Sequence, residues 1–365
     1  MNKKLSNTIS LLCGVVAIVA MSVTLQLLKT DSIFVRVTIV LVSFFVSYLI
    51  NHFIHEIGKI IVGKILGFKL ISFRLLTSTT QKDESGNKIK GRYYDSMKYI
   101  DAKMNKVENR TRKDAILLHL GGGIFNVIFF IIFLVLGLVQ EDASLKTIFI
   151  VFAINNIYIL ALSTLPLNTS FSNDGSYLLA LLKDNKSTEL FYDEMDYLEH
   201  IVSNSPTTFD INRFNVESFN KDNPLHLTAK MNIINNLIYT KKFLEAYEEI
   251  SKLQEIANDI VDEVSIDVEL KRIFLETMTN QDELANQHRD DLPRETRKYE
   301  DSKSITRAIE SYAYNKFSKL DEYASEEAYA RAISLFETAA YKGLVEEQKK
   351  FLEFLKTYRF IDKLN

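Results

Sequence analysis

The chain has 365 residues, a formal net charge of −3 and a single cysteine. That length accommodates two domains. The absence of a basic domain argues against a nucleic-acid partner, and Cys13, inside an apolar run, supports neither a disulfide framework nor a cysteine metal site. The two halves differ: residues up to about 183 hold the long apolar runs and most of the glycines, while the remainder is charged, glycine-poor and helical in its periodicity.

Crossing about 30 Å of hydrocarbon takes about 20 apolar residues. Four stretches meet that requirement, roughly 8–28, 34–66, 115–139 and 146–166. The first follows Met1-Asn2-Lys3-Lys4. Its apolar run is longer than a typical leader and lacks a small-residue cleavage site, so it reads as a retained span. Lysines and arginines crowd the segment from Lys69 to Lys113, whereas the link Gln140–Leu145 carries Glu141 and Asp142. The positive-inside tendency then places the amino terminus, the 67–114 segment and the carboxy-terminal half in the cytoplasm of a multi-pass cell-membrane protein.

The second run contains Asn51-His52-Phe53-Ile54-His55-Glu56-Ile57-Gly58-Lys59. Ionisable residues at membrane depth are costly, so a cluster of them marks a candidate site. At about 100° per residue, His52, His55, Glu56 and Lys59 fall within one arc of about 100° and share a helix face. Two features follow it. Gly121-Gly122-Gly123-Ile124-Phe125-Asn126 opens the third span, and Asn173-Asp174-Gly175 follows Leu165-Pro166 and opens a short apolar stretch, Ser176–Leu182, read as a half-span.

Taken in order, one per span, these motifs resemble the site-2 protease family of intramembrane zinc metalloproteases, of the M50 peptidase type, over roughly residues 34–183. The run from His55 to Gly67 is similar to that family's His-Glu-x-Gly-His zinc helix. The resemblance implies a polytopic helical core, zinc held by His55 and by Asp174 of the Asp-Gly pair, and Glu56 as general base on a metal-bound water. It departs at one point: Lys59 stands where the second zinc histidine belongs. A protonated ammonium is not a ligand and repels a dication. Three readings stay open. The zinc is lost and Lys59 pairs with Asp174 or Glu56, leaving a pseudoenzyme. Alternatively, zinc is kept with His52, three residues before His55, as the replacement ligand. Or a partial site binds metal weakly through His55 and Asp174.

After Gly67 the pattern becomes strand-like over 68–76. A polar turn at Lys82–Asn87 and a second run from Lys88 to Tyr94 predict a β-hairpin. The hairpin either meets lipid headgroups or lends an edge to an extended substrate segment, as the family resemblance implies. Residues 95–114 read as a charged helix leading to the third span.

The fold class is therefore mainly α: residues 1–183 form a transmembrane domain with a small β-hairpin insertion, and 184–365 form a soluble domain of helical hairpins. In the soluble part, Asn223-Pro224 starts a helix, the helical spacing of 225–253 breaks near Tyr239-Thr240-Lys241-Lys242, and further amphipathic helices fall near 261–278, 302–318, 323–340 and 343–357. Lys242–Ile250 resembles the second helix of a tetratricopeptide hairpin, without a strict repeat. Such domains bind peptides or protein partners. His200, His226 and His288 are scattered and read as surface or capping residues. The expected function is binding of a single-span membrane protein or peptide with peptidase activity impaired or lost. The alternative is an active zinc endopeptidase using His52, His55 and Asp174 as ligands and Glu56 as base. No paired inverted repeats or matched broken helices support a transporter.

Overall fold

The computed structural model describes residues 3–28, 32–82, 86–93, 98–167, 169–300 and 302–358, the side chain of Glu295 excepted. The chain is mainly helical and divides into two compact units. The first comprises residues 1–69, 106–188 and 222–224, and the second comprises residues 70–105, 189–221 and 225–365.

The first unit contains α1 (Lys3–Thr24), α2 (Ile33–Ile65), α3 (Arg112–Val139), α4 (Ala143–Thr164) and α5 (Asp174–Lys183). The first four are long and apolar enough to cross a membrane. Their outward faces leave Leu12, Val16, Phe34, Phe45, Ile131 and Val139 exposed, an apolar surface suited to lipid rather than water. Each helix is bounded by its own sequence. Ser32 caps α2 by accepting a hydrogen bond from the Val35 amide. Gly67, at φ +86°, closes it: the Gly67 amide donates to Lys64 O and the Phe68 amide to Gly63 O, the double bond of a left-handed helix end. Thr111 and Asp142 cap α3 and α4 in the same manner as Ser32. At about 1.5 Å per residue, α5 is some 15 Å long and too short to span a bilayer.

Glycines set how closely the spans approach. A Cβ on Gly58 would lie 2.7 Å from Gly121 O, one on Gly121 2.9 Å from the Val62 side chain, and one on Gly137 2.7 Å from Ile150. At Gly58 and Gly121 the backbones of α2 and α3 come into contact, while Gly137 of α3 receives the Ile150 side chain of α4.

The second unit joins a four-stranded sheet to helices. Strands β1 (Lys69–Leu75), β2 (Ser78–Lys82), β3 (Lys88–Arg92) and β4 (Ile100–Asn105) lie in the order β3-β2-β1-β4. β1 pairs antiparallel with β2, Ser72 opposite Gln81 and Arg74 opposite Thr79, and β2 pairs antiparallel with β3. The two runs expected to pair as a hairpin are both strands, β1 and β3, but they do not pair with each other: β2, from the segment between them, lies between them in the sheet, and β4 adds a fourth strand. Part of the expected polar turn, residues 83–85, and Tyr94 at the end of the second run lie outside the described residues. The charged helix expected over 95–114 is absent from the described part: 100–105 form β4, and α3 begins only at Arg112. β4 buries Asp101 and Asn105 as well as Ala102 and Met104, so its burial does not alternate, and its place beside β1 makes it a strand.

The remaining helices are α6 (Asn185–Ser203), α7 (Pro224–Tyr239), α8 (Phe243–Gln254), α9 (Asp262–Met278), α10 (Asp282–Asp290), α11 (Arg294–Glu300), α12 (Ile305–Phe317), α13 (Glu322–Phe336) and α14 (Lys342–Thr357). Except for the start of α6 and Pro224, the first residue of α7, they belong to the second unit. The break between α7 and α8 falls at Thr240–Lys242, with Lys241 at φ +65°. Ile234, Ile250, Val268, Leu275, Ala313 and Leu352 centre the core of this unit. The sheet is joined to it at β3, where the Arg92 amide donates to Thr338 O at 2.7 Å and the Ala340 amide to Arg92 O at 2.8 Å. That edge is therefore taken at Arg92 and not open there to a further strand. Tyr341 reinforces the junction: its amide donates to Gln81 Oε1 at 2.9 Å and its ring meets Tyr93 edge-on at 5.2 Å.

Candidate functional site

The polar residues of the first unit converge where α2, α3 and α5 meet. His55, Glu56 and Lys59 project from one face of α2, and all are buried. Asp174 arrives as the first residue of α5. Its neighbour Asn173 fixes it there: the Asn173 side chain accepts from the Ser176 and Leu167 amides and donates to Leu162 O and Leu165 O, tying the start of α5 to the end of α4. A Cβ on Gly175 would come within 2.3 Å of Thr164 O, so the Asp-Gly pair is required by this close approach.

Asp174 is the hub. Its Oδ2 accepts from His55 Nε2 at 2.8 Å and its Oδ1 from His119 Nδ1 at 2.7 Å, while the Lys59 ammonium lies 3.4 Å from Oδ1. Lys59 also reaches Glu56 at 3.3 Å. The Asn126 side-chain amide lies 3.1 Å from His55 Nδ1, the ring nitrogen turned away from Asp174. Burial works against charge on Asp174. Lys59 and the hydrogen bonds from His119 and His55 outweigh burial and hold the carboxyl well below the usual carboxylate range.

The glycine run at 121–123 has a direct role here. A Cβ on Gly122 would sit 2.4 Å from the His55 ring, so glycine at that position makes room for the imidazole. Of the residues singled out in the sequence, His55, Glu56, Lys59 and Asp174 are brought together. His52 turns elsewhere, half-buried, with its ring edge-on to Tyr48 at 4.7 Å. One member was missed: His119, in Leu118-His119-Leu120 of α3, stacks on Tyr177 at 5.1 Å and 10°. The signal was available as a lone ionisable residue inside an apolar run. In the second unit, His288 pairs with the fully buried Glu276 at 2.9 Å, His226 accepts from the Asn220 amide, and His200 lies 3.0 Å from Ser205 O.

No known protein family, curated protein or solved structure matches the chain. Donor atoms of His55, Glu56 and Asp174 lie within 4.8 Å of one another, a spacing compatible with a metal ion. One feature counts against zinc. The ammonium of Lys59 bridges the two carboxylates that would serve as ligand and base, and it would repel a dication a few ångströms away. This donor set, with Lys59 charged, does not fit zinc.

Proposed function

We propose that the chain is a site-2-protease-like integral membrane protein in which the lysine ammonium has taken the position of the metal. It binds a membrane-protein segment or peptide without cutting it. The observation that carries this reading is the bridge from Lys59 to Glu56 and Asp174, at 3.3 and 3.4 Å. Two buried carboxylates need a cation, and the lysine supplies one without a metal. The excess of lysine and arginine in 67–114 supports a cytoplasmic carboxy-terminal half, whose helical hairpins suit a protein partner.

The test is zinc content of the purified full chain, wild type beside Lys59→His. The wild type is expected to bind none under metal-replete conditions, and Lys59→His to gain about one zinc per chain because it completes a three-ligand set with His55 and Asp174. About one zinc in the wild type, lost in His55→Ala and Asp174→Ala, would sink the proposal. That outcome would favour the second reading, an intramembrane zinc endopeptidase with Glu56 as base, for which the clustering of His55, Glu56 and Asp174 speaks. The orientation of His52 toward Tyr48 speaks against that reading in the form that makes His52 a ligand.

A further inference from the structure

A polar stripe runs along α2 away from this centre. Ser43, Ser47, Asn51, His55 and Lys59 follow one another at intervals of four and are all buried. Sixteen residues at about 1.5 Å each make the stripe about 24 Å long, against a hydrocarbon thickness of about 30 Å. Steps of four turn by about 40°, so the stripe winds around α2. His55 accordingly meets Asn126 on α3, while Ser47 and Asn51 meet α4.

The asparagines facing this stripe are arranged alike. Asn51 and Asn156 each donate from Nδ2 to Phe152 O at 3.0 Å, and Asn155 donates to Phe44 O at 3.0 Å and to Ser47 Oγ. A backbone carbonyl only accepts, so these three amides cannot be turned around. The Oδ1 of each is therefore directed away from its anchor. Asn51, Asn155 and Asn156 have no exposed surface, and no donor among the described residues reaches any of their three Oδ1 atoms. Interhelical adhesion explains the amide nitrogens of Asn51 and Asn155, and Asn156 bonds back to its own helix. Neither explains three buried acceptors at membrane depth, where an unsatisfied carbonyl is costly.

We propose that the interface of α2, α3 and α4 binds a file of water molecules along the Ser43–Lys59 stripe, held by these three carbonyl oxygens and by the serine hydroxyls. Water is the ligand class that fits: it donates two hydrogen bonds, is small enough for a closely packed interface, and needs no counter-charge. The file keeps the interior of the unit hydrated from the Lys59–Asp174 centre past mid-span. This hydration is independent of the peptidase question, because none of the three asparagines is a proposed ligand or base.

The test uses the full chain in lipid vesicles with Cys13 replaced by serine and one cysteine introduced. Silver ion is the probe, since it is close to water in size and reacts with the thiolate, which forms only where water reaches the sulfur. Ser43→Cys and Ser47→Cys are conservative in volume and are expected to react at least about tenfold faster than the lipid-facing Phe45→Cys and Leu49→Cys. Reaction at the lipid-facing rate would overturn the proposal. Protection by sodium nitrate relative to N-methylglucamine nitrate would also overturn it, because the oxygens would then be holding an alkali cation. Water-to-protein magnetisation transfer in the unsubstituted chain, labelled on its asparagine side chains, guards against a folding defect. Transfer to buried amides is expected, and its absence refutes the file.

Discussion

Replacing Lys59 by methionine removes the ammonium and keeps the unbranched remainder of the side chain at nearly the same volume. In the native fold the ammonium lies 3.3 Å from Glu56 and 3.4 Å from Asp174. At an effective dielectric of about 20, each contact is worth about 5 kcal/mol. Desolvation of the buried ammonium cancels several kcal/mol of that sum, but the variant leaves two buried carboxylates facing each other without a cation. The expected loss is about 3–5 kcal/mol, the range found when one partner of a buried ion pair is removed. Reversible unfolding of the full chain in mixed micelles measures it. Adding Asp174→Asn removes one of the stranded charges, so the double variant should recover part of the loss, with a coupling of about 1–3 kcal/mol between the two sites. A Lys59→Met variant within about 0.5 kcal/mol of wild type, or strictly additive effects, would refute the view that Lys59 neutralises the centre.

Gly122→Ala places a methyl 2.4 Å from the His55 ring and should cost about 1–3 kcal/mol through forced separation of α2 and α3; the same micelle assay reads it, and a neutral result would mean that the helices are not closely apposed there. In the second unit, burial first, then Asp101, raises the Glu194 carboxyl against the opposing pull of Lys103 and Lys98. A carboxyl raised in the fold favours the protonated state, so stability should be greatest at acid pH and fall as pH rises through the interval between the ordinary and the raised value. Glu194→Gln should remove that fall, making the variant the more stable at neutral pH and equal to wild type near pH 4; curves that stay parallel across pH would contradict the assignment. Gly91→Val would put a Cβ 2.6 Å from the Ala340 amide and break the β3 junction, which limited proteolysis near residues 338–340 should report as faster cleavage than in wild type.

The spans were legible because length and hydropathy alone decide what crosses hydrocarbon, and the helices fall within a few residues of the apolar runs. The clustering of His55, Glu56, Lys59 and Asp174 was legible because ionisable groups are rare at that depth and Asp-Gly and triple-Gly runs carry steric meaning. Helix periodicity placed His52 on the same face, but not its ring contact with Tyr48, one turn away. His119 escaped because it belongs to no spacing pattern, and its place depends on Tyr177 of a helix more than fifty residues later. β2 and β4 escaped because their strand character comes from pairing rather than from hydrophobicity. Ser78–Lys82 has no aliphatic residue at all and is a strand because β1 and β3 flank it. The same division applies to the stripe on α2. That residues 43, 47, 51, 55 and 59 are polar is written in the sequence, and so is their common face. That the asparagine amides spend their nitrogens on backbone carbonyls and direct their oxygens inward is a property of the packed helices alone. It is this second fact that distinguishes a hydrated interior from ordinary helix adhesion.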